Sequence, residues 1–333
     1  MNALNSIPEL QNQEEHIKQL AAQRELYAEA KTTLKWQMFL TIGLGIIFSL
    51  SAILIKEKGL EPRVASAAAF VSPLFVKPFG TQEFIAIFEK VLAFLSMLIA
   101  LLDVLKLEPR QKRLAQQAAK IQEAFDCDVL DMPWQELKVG NRPEQELINE
   151  KAHKHGNTSG LKNWYSPSVA QVPLVIARLL CQRANIWWDA GLRRRYAAWV
   201  SFGLPSILVL LVCFGLYRGM SLSGFVFSVL IPMMPAFWWG IREYKKQQET
   251  ASTLDRLHRE ARKLWEKALK REFTDEQLKQ ASRDLQNEIY DHRRSASFIF
   301  DWIYKRLRKK DEEQMNKNSD DLVKEYLEKG NKK

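Results

Sequence analysis

The amino-acid sequence reads as an all-α membrane protein: four transmembrane helices as two antiparallel hairpins, with cytosolic helical regions between spans 2 and 3 and at the C-terminus. Three features dictate this. Residues 36–55, 197–217 and 220–241 hold no charged side chain, and a helix of about 20 residues at 1.5 Å per residue crosses about 30 Å of hydrocarbon. The rest of the 333-residue chain is densely charged, with 49 Lys and Arg against 39 Asp and Glu and a net charge of +10. Only Arg218 and Gly219 part the last two uncharged stretches, so those two spans must double back on each other. The mean hydropathy of −0.27 averages the two populations and taken alone suggests a soluble protein.

Residues 1–35 are polar and helix-prone, a cytosolic N-terminal helix that runs without a breaker into Trp36, whose ring suits the membrane interface. The first span follows a long charged segment and lacks a small-residue cleavage pattern, so it is expected to be a retained anchor. Residues 56–83, with Pro62, Pro73 and Pro78, read as a loop with an interfacial segment. The second span is the least apolar, because it includes Glu89, Lys90 and Asp103. The first hairpin thus covers 36–105, with spans at about 36–55 and 84–105. A hydrophilic cytosolic block follows at 106–196, then the second hairpin at 197–241, with spans at about 197–217 and 220–241.

In the C-terminal region, 242–333, Leu254, Leu257, Ala261, Leu264 and Ala268 recur at the spacing of an amphipathic helix. Thr274 with Gln277 has the form of a capping box opening another helix. Ala296, Ile299, Ile303 and Leu307 continue its face, and the tail after Lys309 is expected to fray. Basic residues set the topology. Residues 106–196 hold 15 Lys and Arg against 10 acids, and 242–333 hold 24 against 19, while the connections on the opposite side hold four and one. Both termini and the central block are therefore expected in the cytoplasm.

Composition argues against several chemistries. Cys127, Cys181 and Cys213 are too widely spaced for a disulfide framework or a zinc site, and the five histidines are scattered, so no metal and no cofactor are expected. Gly43-Leu-Gly45 lies inside a span and lacks the third glycine of a dinucleotide loop. No phosphate-loop lysine motif or nucleophile elbow appears, and nothing pairs Asp126 or Asp128 with a base or a metal. An enzyme is not expected.

Two groups of residues carry other chemistry. Glu89, Ser96 and Asp103 are spaced by seven and share one helix face. They read either as a cation-attracting pore lining, which needs an oligomer, or as inter-helix hydrogen bonding with an interfacial Glu89. Pro205, Pro232 and Pro235 bend the later spans, as hinges or simply to fit packing. The second group lies between Asn163 and Tyr196. Trp164, Tyr165, Trp187 and Trp188 offer ring faces; Arg178, Arg183, Arg193 and Arg194 offer phosphate forks; Gln182, Asn185 and Asp189 offer base-edge partners. Arg178, Gln182 and Asn185 fall on one helical face, which suits a nucleotide ligand. The alternative is a positive-inside cluster at Arg193 and Arg194 with Trp187 and Trp188 as an interfacial belt.

Several motifs carry a resemblance. They are Ile7-Pro-Glu-Leu-Gln-Asn-Gln-Glu14, Leu20-Ala-Ala-Gln-Arg-Glu-Leu-Tyr27, Phe125-Asp-Cys-Asp-Val-Leu130 with Pro133-Trp134, Asn163-Trp-Tyr-Ser-Pro167, Cys181-Gln-Arg-Ala-Asn185, Trp187-Trp-Asp189 and Leu192-Arg-Arg-Arg-Tyr196. Together they resemble the bacterial S-4TM family, the SMODS-associated four-transmembrane effectors linked to nucleotide second-messenger synthases in anti-phage defence. The resemblance implies four spans in the bacterial inner membrane and permeabilisation of the bilayer by a homo-oligomer. It also implies a cyclic oligonucleotide from a partner synthase as regulatory ligand, with no nucleic-acid polymer as partner. It supplies no ligand residues. The competing reading is a non-conducting scaffold whose cytosolic helices recruit a partner protein. A transporter is disfavoured because no internal repeat relates the two span pairs.

Overall fold

The computed structural model describes residues 4–55, 81–296, 298 and 317–329, and every regular element among them is a helix. Of the loop expected over 56–83, residues 56–80 lie outside the described residues, as does the face carried by Ile299, Ile303 and Leu307, while residues 81–83 are helical and not loop. The helices are α1 (Ile7–Leu10), α2 (Glu14–Met38), α3 (Leu44–Ile55), α4 (Thr81–Leu102), α5 (Glu108–Val129) and α6 (Glu136–Val139). They continue as α7 (Gln145–His155), α8 (Leu174–Tyr217), α9 (Leu222–Phe225), α10 (Ile231–Leu269), α11 (Asp275–Ser295) and α12 (317–329). Three π-turns, Phe39–Gly43, Asp103–Leu107 and Val226–Leu230, carry α2 into α3, α4 into α5, and α9 into α10.

The change from charged to apolar sequence is therefore not a helix boundary. Helix α8 runs for 44 residues through Pro205, and α10 for 39 through Pro235. The capping box is present as expected: the Thr274 hydroxyl accepts from Gln277 N while the Gln277 side chain accepts from Thr274 N. The tail expected to fray instead contains α12, because Val323 is buried and Leu322, Tyr326 and Leu327 pack on the same core.

The chain divides into two compact units. One comprises Thr33–Pro109 and Ala198–Lys245. Among the described residues, Glu14–Leu50, Tyr196–Tyr217 and Leu222–Leu269 are long and apolar enough to cross a membrane. Helix α4 is also apolar but carries Glu83, Glu89 and Lys90 in its first half. In this unit the usual pattern is inverted. Trp199, Phe202, Leu210, Met97 and Trp238 face outward, while Thr41, Ser49, Ser96, Ser228 and Asp103 are buried. That is the pattern lipid requires, with apolar bulk outside and small or polar groups between helices. The buried hydroxyls bond to their own helices, Thr41 to Gln37 O and Ser49 to Gly45 O at 2.8 Å, and Ser96 to Leu92 O at 2.9 Å.

Helix α3 packs on the Val226–Leu230 turn, and α4 on both. The approach is closest at Gly45, where an added Cβ would lie 2.9 Å from Pro232 O and 3.2 Å from Met233 Sδ. Because the nearer neighbour is backbone, the helices must part to admit a side chain. Gly45→Leu is expected to destabilise this packing by about 1–3 kcal/mol. A lower melting temperature of the purified protein in detergent would report it, and an unchanged one would refute the close approach.

The second unit comprises Met1–Thr32, Arg110–Ala197 and Lys246–Lys333. Ala22, Leu26 and Ala30 of α2 meet Leu114, Ala118 and Ile121 of α5, the small residues letting the helices approach closely. A larger cluster gathers Leu20, Phe125, Leu161, Leu180, Leu257, Trp265 and Leu285. The amphipathic 254–268 segment thus buries most of its expected face: Leu254, Leu257, Ala261 and Ala268 are 5% exposed or less, Leu264 is only partly buried, and Trp265, outside the expected set, is buried beside them.

Candidate ligand site and buried charge clusters

Helix α8 organises the residues in which the sequence suggested ligand chemistry, and it divides them between two faces. Arg178, Gln182 and Asn185 turn into the core. Arg178 is 5% exposed and donates from Nε to Leu130 O at 2.6 Å and from Nη2 to Asp131 O. Asp131, with φ of 50°, is the left-handed residue that turns the chain out of α5, so Arg178 caps that turn. Gln182 is fully buried, donating to Ser282 O at 2.8 Å and to Gln286 Oε1 at 3.1 Å while accepting from the Ser282 hydroxyl at 3.1 Å. Asn185 donates to the Tyr165 hydroxyl at 3.2 Å. Tyr165 in turn donates to Asp126 Oδ1 at 2.5 Å and stacks on Phe125, and Arg24 sits 5.4 Å from the Trp164 ring centroid. Arg193 is buried and donates to Gln247 Oε1 at 3.2 Å. In this structure these side chains are spent on protein contacts. The side chains of Trp188, Asp189, Arg194 and Glu89 lie outside the described residues.

The neighbouring face behaves differently. Leu180, Arg183, Ala184 and Trp187 fall at i, i+3, i+4 and i+7 and line a half-open cavity of about 330 Å³. Its remaining walls are His258 of α10 and Asn318, Ser319, Asp321 and Leu322 of α12. Arg183 forms no ion pair among the described residues, and its Nη1 is buried without a hydrogen-bond partner. Burial pulls its pKa below the ordinary value, against the more distant Glu325, yet arginine stays charged. A guanidinium nitrogen buried without a partner is costly even on a half-buried side chain, and an anionic group entering the cavity removes that cost. The Trp187 ring beside it supplies a stacking surface. His258 was not read as a site residue from the sequence, but it lies four residues after Leu254 and three before Ala261, on the edge of the amphipathic face. The α12 residues gave no such signal, since they meet α8 only through the tertiary fold.

Beneath this lies a buried charge cluster. Arg283 donates to Glu123 Oε1 at 2.6 Å, and Arg293 pairs with Asp126. Gln286 bridges the two carboxylates at 2.9 and 2.8 Å. Burial, reinforced by Glu123, pushes the Cys127 thiol up to about 12, so it is not a nucleophile at neutral pH. Burial likewise drives the Tyr165 phenol well above its ordinary range, with Asp126 adding to the effect.

The resembling motifs lock onto each other around this cluster. Gln11 and Tyr165 exchange hydrogen bonds through Gln11 Nε2 to Tyr165 O at 3.2 Å and Tyr165 N to Gln11 Oε1 at 2.7 Å. Asn12 and Asn163 do the same at 2.9 and 3.0 Å, and Asn163 sits at a φ of 53°, a conformation asparagine tolerates well. A family model described as the SMODS-associating 4TM effector domain matches residues 5–322. The chain belongs to this family. It is also 24% identical over 309 residues, 92% of this chain and 95% of the relative, to a protein of Bacillus cereus (strain VD146) named as a probable CBASS effector molecule. No solved structure matches.

In the membrane unit of this effector-domain protein, Ser96 and Asp103 are each 2% exposed. Asp103, at the start of its π-turn, accepts from the Gln37 amide on one oxygen and from Arg242 on the other. Arg242 also reaches Glu108 Oε2 at 3.3 Å. Within this chain both polar residues are thus engaged in helix contacts. Gln37, Glu108 and Arg242 were not singled out from the sequence, where Gln37 is an uncharged residue at the start of the first span and Glu108 and Arg242 read as ordinary flanking residues.

Proposed function

We propose that this protein is a CBASS effector of anti-phage defence that permeabilises the bacterial inner membrane when a cyclic oligonucleotide, made by a partner synthase, occupies the Arg183–Trp187 cavity. In this reading α4 is the second of four spans, the two span pairs are hairpins, both termini are cytoplasmic, and several copies of the chain assemble to breach the bilayer. The observation that carries it is the half-buried side chain of Arg183, whose Nη1 is buried without a hydrogen-bond partner, beside a tryptophan ring in a cavity of about 330 Å³. Such a cavity lies in the size range of small-ligand sites and combines charge with stacking, as a nucleotide requires. Its half-open form leaves room for a second nucleotide outside the mouth.

Thermal shift of the purified full-length protein against a panel of cyclic di- and trinucleotides tests the proposal. One nucleotide is expected to raise the melting temperature, by the equivalent of about 2.7 kcal/mol at a hundredfold excess over its Kd. Arg183→Ala is expected to abolish that gain while leaving the unliganded melting temperature within about 1 kcal/mol, since Arg183 pairs with no carboxylate. The nucleotide that binds should also depolarise cells expressing the wild-type chain. No shift across the panel overturns ligand control, and binding without depolarisation overturns permeabilisation.

A further inference from the structure

The Asp103 cluster has a chemistry that helix packing alone does not call for. One guanidinium faces two carboxylates, Asp103 and Glu108, whose side chains are 3% and 14% exposed, and Arg242 itself is only 18% exposed. The four groups come from different helical segments. Gln37 is on α2 just before the Phe39–Gly43 π-turn, Asp103 opens the Asp103–Leu107 π-turn, Glu108 opens α5, and Arg242 is on α10. Buried ion pairs are poor devices for raising stability, because apolar residues of equal volume usually do as well. What they do well is specify one arrangement, since any other leaves a charge bare in an apolar setting. Two π-turns adjoin the cluster, and such turns recur where helices are functionally adjusted.

We propose that Arg242, held between Asp103 and Glu108 and supported by Gln37, is an ionic latch that keeps the membrane unit in the arrangement seen here, and that opening of the unit parts Arg242 from the two carboxylates. The latch rests on the proposed permeabilising activity only for its consequence; the mechanical claim stands separately. Removing the cation leaves the buried Asp103 carboxylate with the neutral Gln37 amide and no cation from Arg242, so the latched arrangement loses to any in which that carboxylate reaches water. A lysine keeps the charge and most of the reach.

The test compares wild type, Arg242→Gln and Arg242→Lys, each purified as the full chain without nucleotide. Each is reconstituted in phosphatidylethanolamine–phosphatidylglycerol vesicles loaded with a self-quenched dye, and hydrogen exchange is followed at 103–108 and 231–245. Arg242→Gln is expected to exchange at least about tenfold faster at both segments and to leak dye about tenfold faster, with Arg242→Lys close to wild type. Faster exchange without leakage upholds the latch and counts against permeabilisation. Wild-type exchange in Arg242→Gln overturns the latch whatever the leakage. Should Arg242→Gln fail to accumulate, Asp103→Asn, which leaves Arg242 paired with Glu108, is expected to show the same changes at smaller amplitude, and unchanged exchange in it overturns the latch.

Discussion

Replacing Arg293 with methionine is expected to lower the stability of the non-membrane unit by about 3–5 kcal/mol, the cost of breaking a buried ion pair by removing one partner. The side chain of Arg293 is 10% exposed and that of Asp126 is fully buried. Asp126 also accepts from the Tyr165 hydroxyl and from Gln286, and Glu123 lies on the same amide. Without Arg293, Arg283 still pairs with Glu123, but Asp126 keeps only the neutral donors Tyr165 and Gln286, which cannot balance its charge. In a unit of this size each kcal/mol moves the midpoint by about 2–4 °C, so a fall of about 6–20 °C is expected. Neutralising the carboxylate as well, in the double variant Asp126→Asn/Arg293→Met, should restore much of it, because the new side-chain amide still accepts from Tyr165 and no charge is stranded. Near-ultraviolet circular dichroism of the purified proteins on heating is the measurement. A single variant within about 1 kcal/mol of wild type, or a double variant no better than the single, would show that the cluster does not hold the unit together.

The helical class was legible in this sequence because it rests on periodicity and on long uncharged runs, both local properties. The capping box at Thr274 and the apolar face over 254–268 were legible for the same reason. The candidate cavity was legible only in part. Residue types pointed to α8, and the 3.6-residue repeat showed that faces exist, but it could not tell which face the fold covers. Arg178, Gln182 and Asn185 have the look of ligand groups because they are polar on a helix with many apolar neighbours. The structure uses their polarity to satisfy the turn at Asp131 and the carboxylate cluster below it. Arg183 and Trp187 are one position round the helix and open to a cavity. What decides between the faces is the placement of α11 and α12, about a hundred residues further along. Likewise, Ser96 and Asp103 are both buried, and the partners that satisfy Asp103 come from α2 and α10. Sequence distance hides such partners even when each residue is in plain view.

Deleting residues 317–333 is expected to abolish the nucleotide-induced thermal shift, a loss of at least about tenfold in affinity, or about 1.4 kcal/mol. Helix α12 supplies Asn318, Ser319, Asp321 and Leu322 to the cavity. Without it, Arg183 and Trp187 face open solvent, where screening weakens the phosphate contact and a base stacks on one side only. The helix is anchored through its apolar face, where Leu322 and Leu327 pack on the core. Val323 is buried, the Tyr326 ring tilts against Trp265 at 6.4 Å, and Trp265 Nε1 donates to Glu325 at 3.1 Å. The hydrogen bond from Lys329, and more weakly that from Trp265, keep the Glu325 carboxyl below its ordinary range, so this attachment persists at neutral pH. Because truncation also uncovers Trp265 and its neighbours, a second variant separates loss of the site from loss of the fold. Ala184→Trp fills the cavity from the α8 side and leaves α12 in the chain. Both variants should fail to respond to the nucleotide that stabilises wild type, and Ala184→Trp should do so with an unliganded melting temperature close to wild type. A truncated chain that still shows the full shift would place the ligand elsewhere on the protein, and an Ala184→Trp protein that still shows it would exclude the cavity.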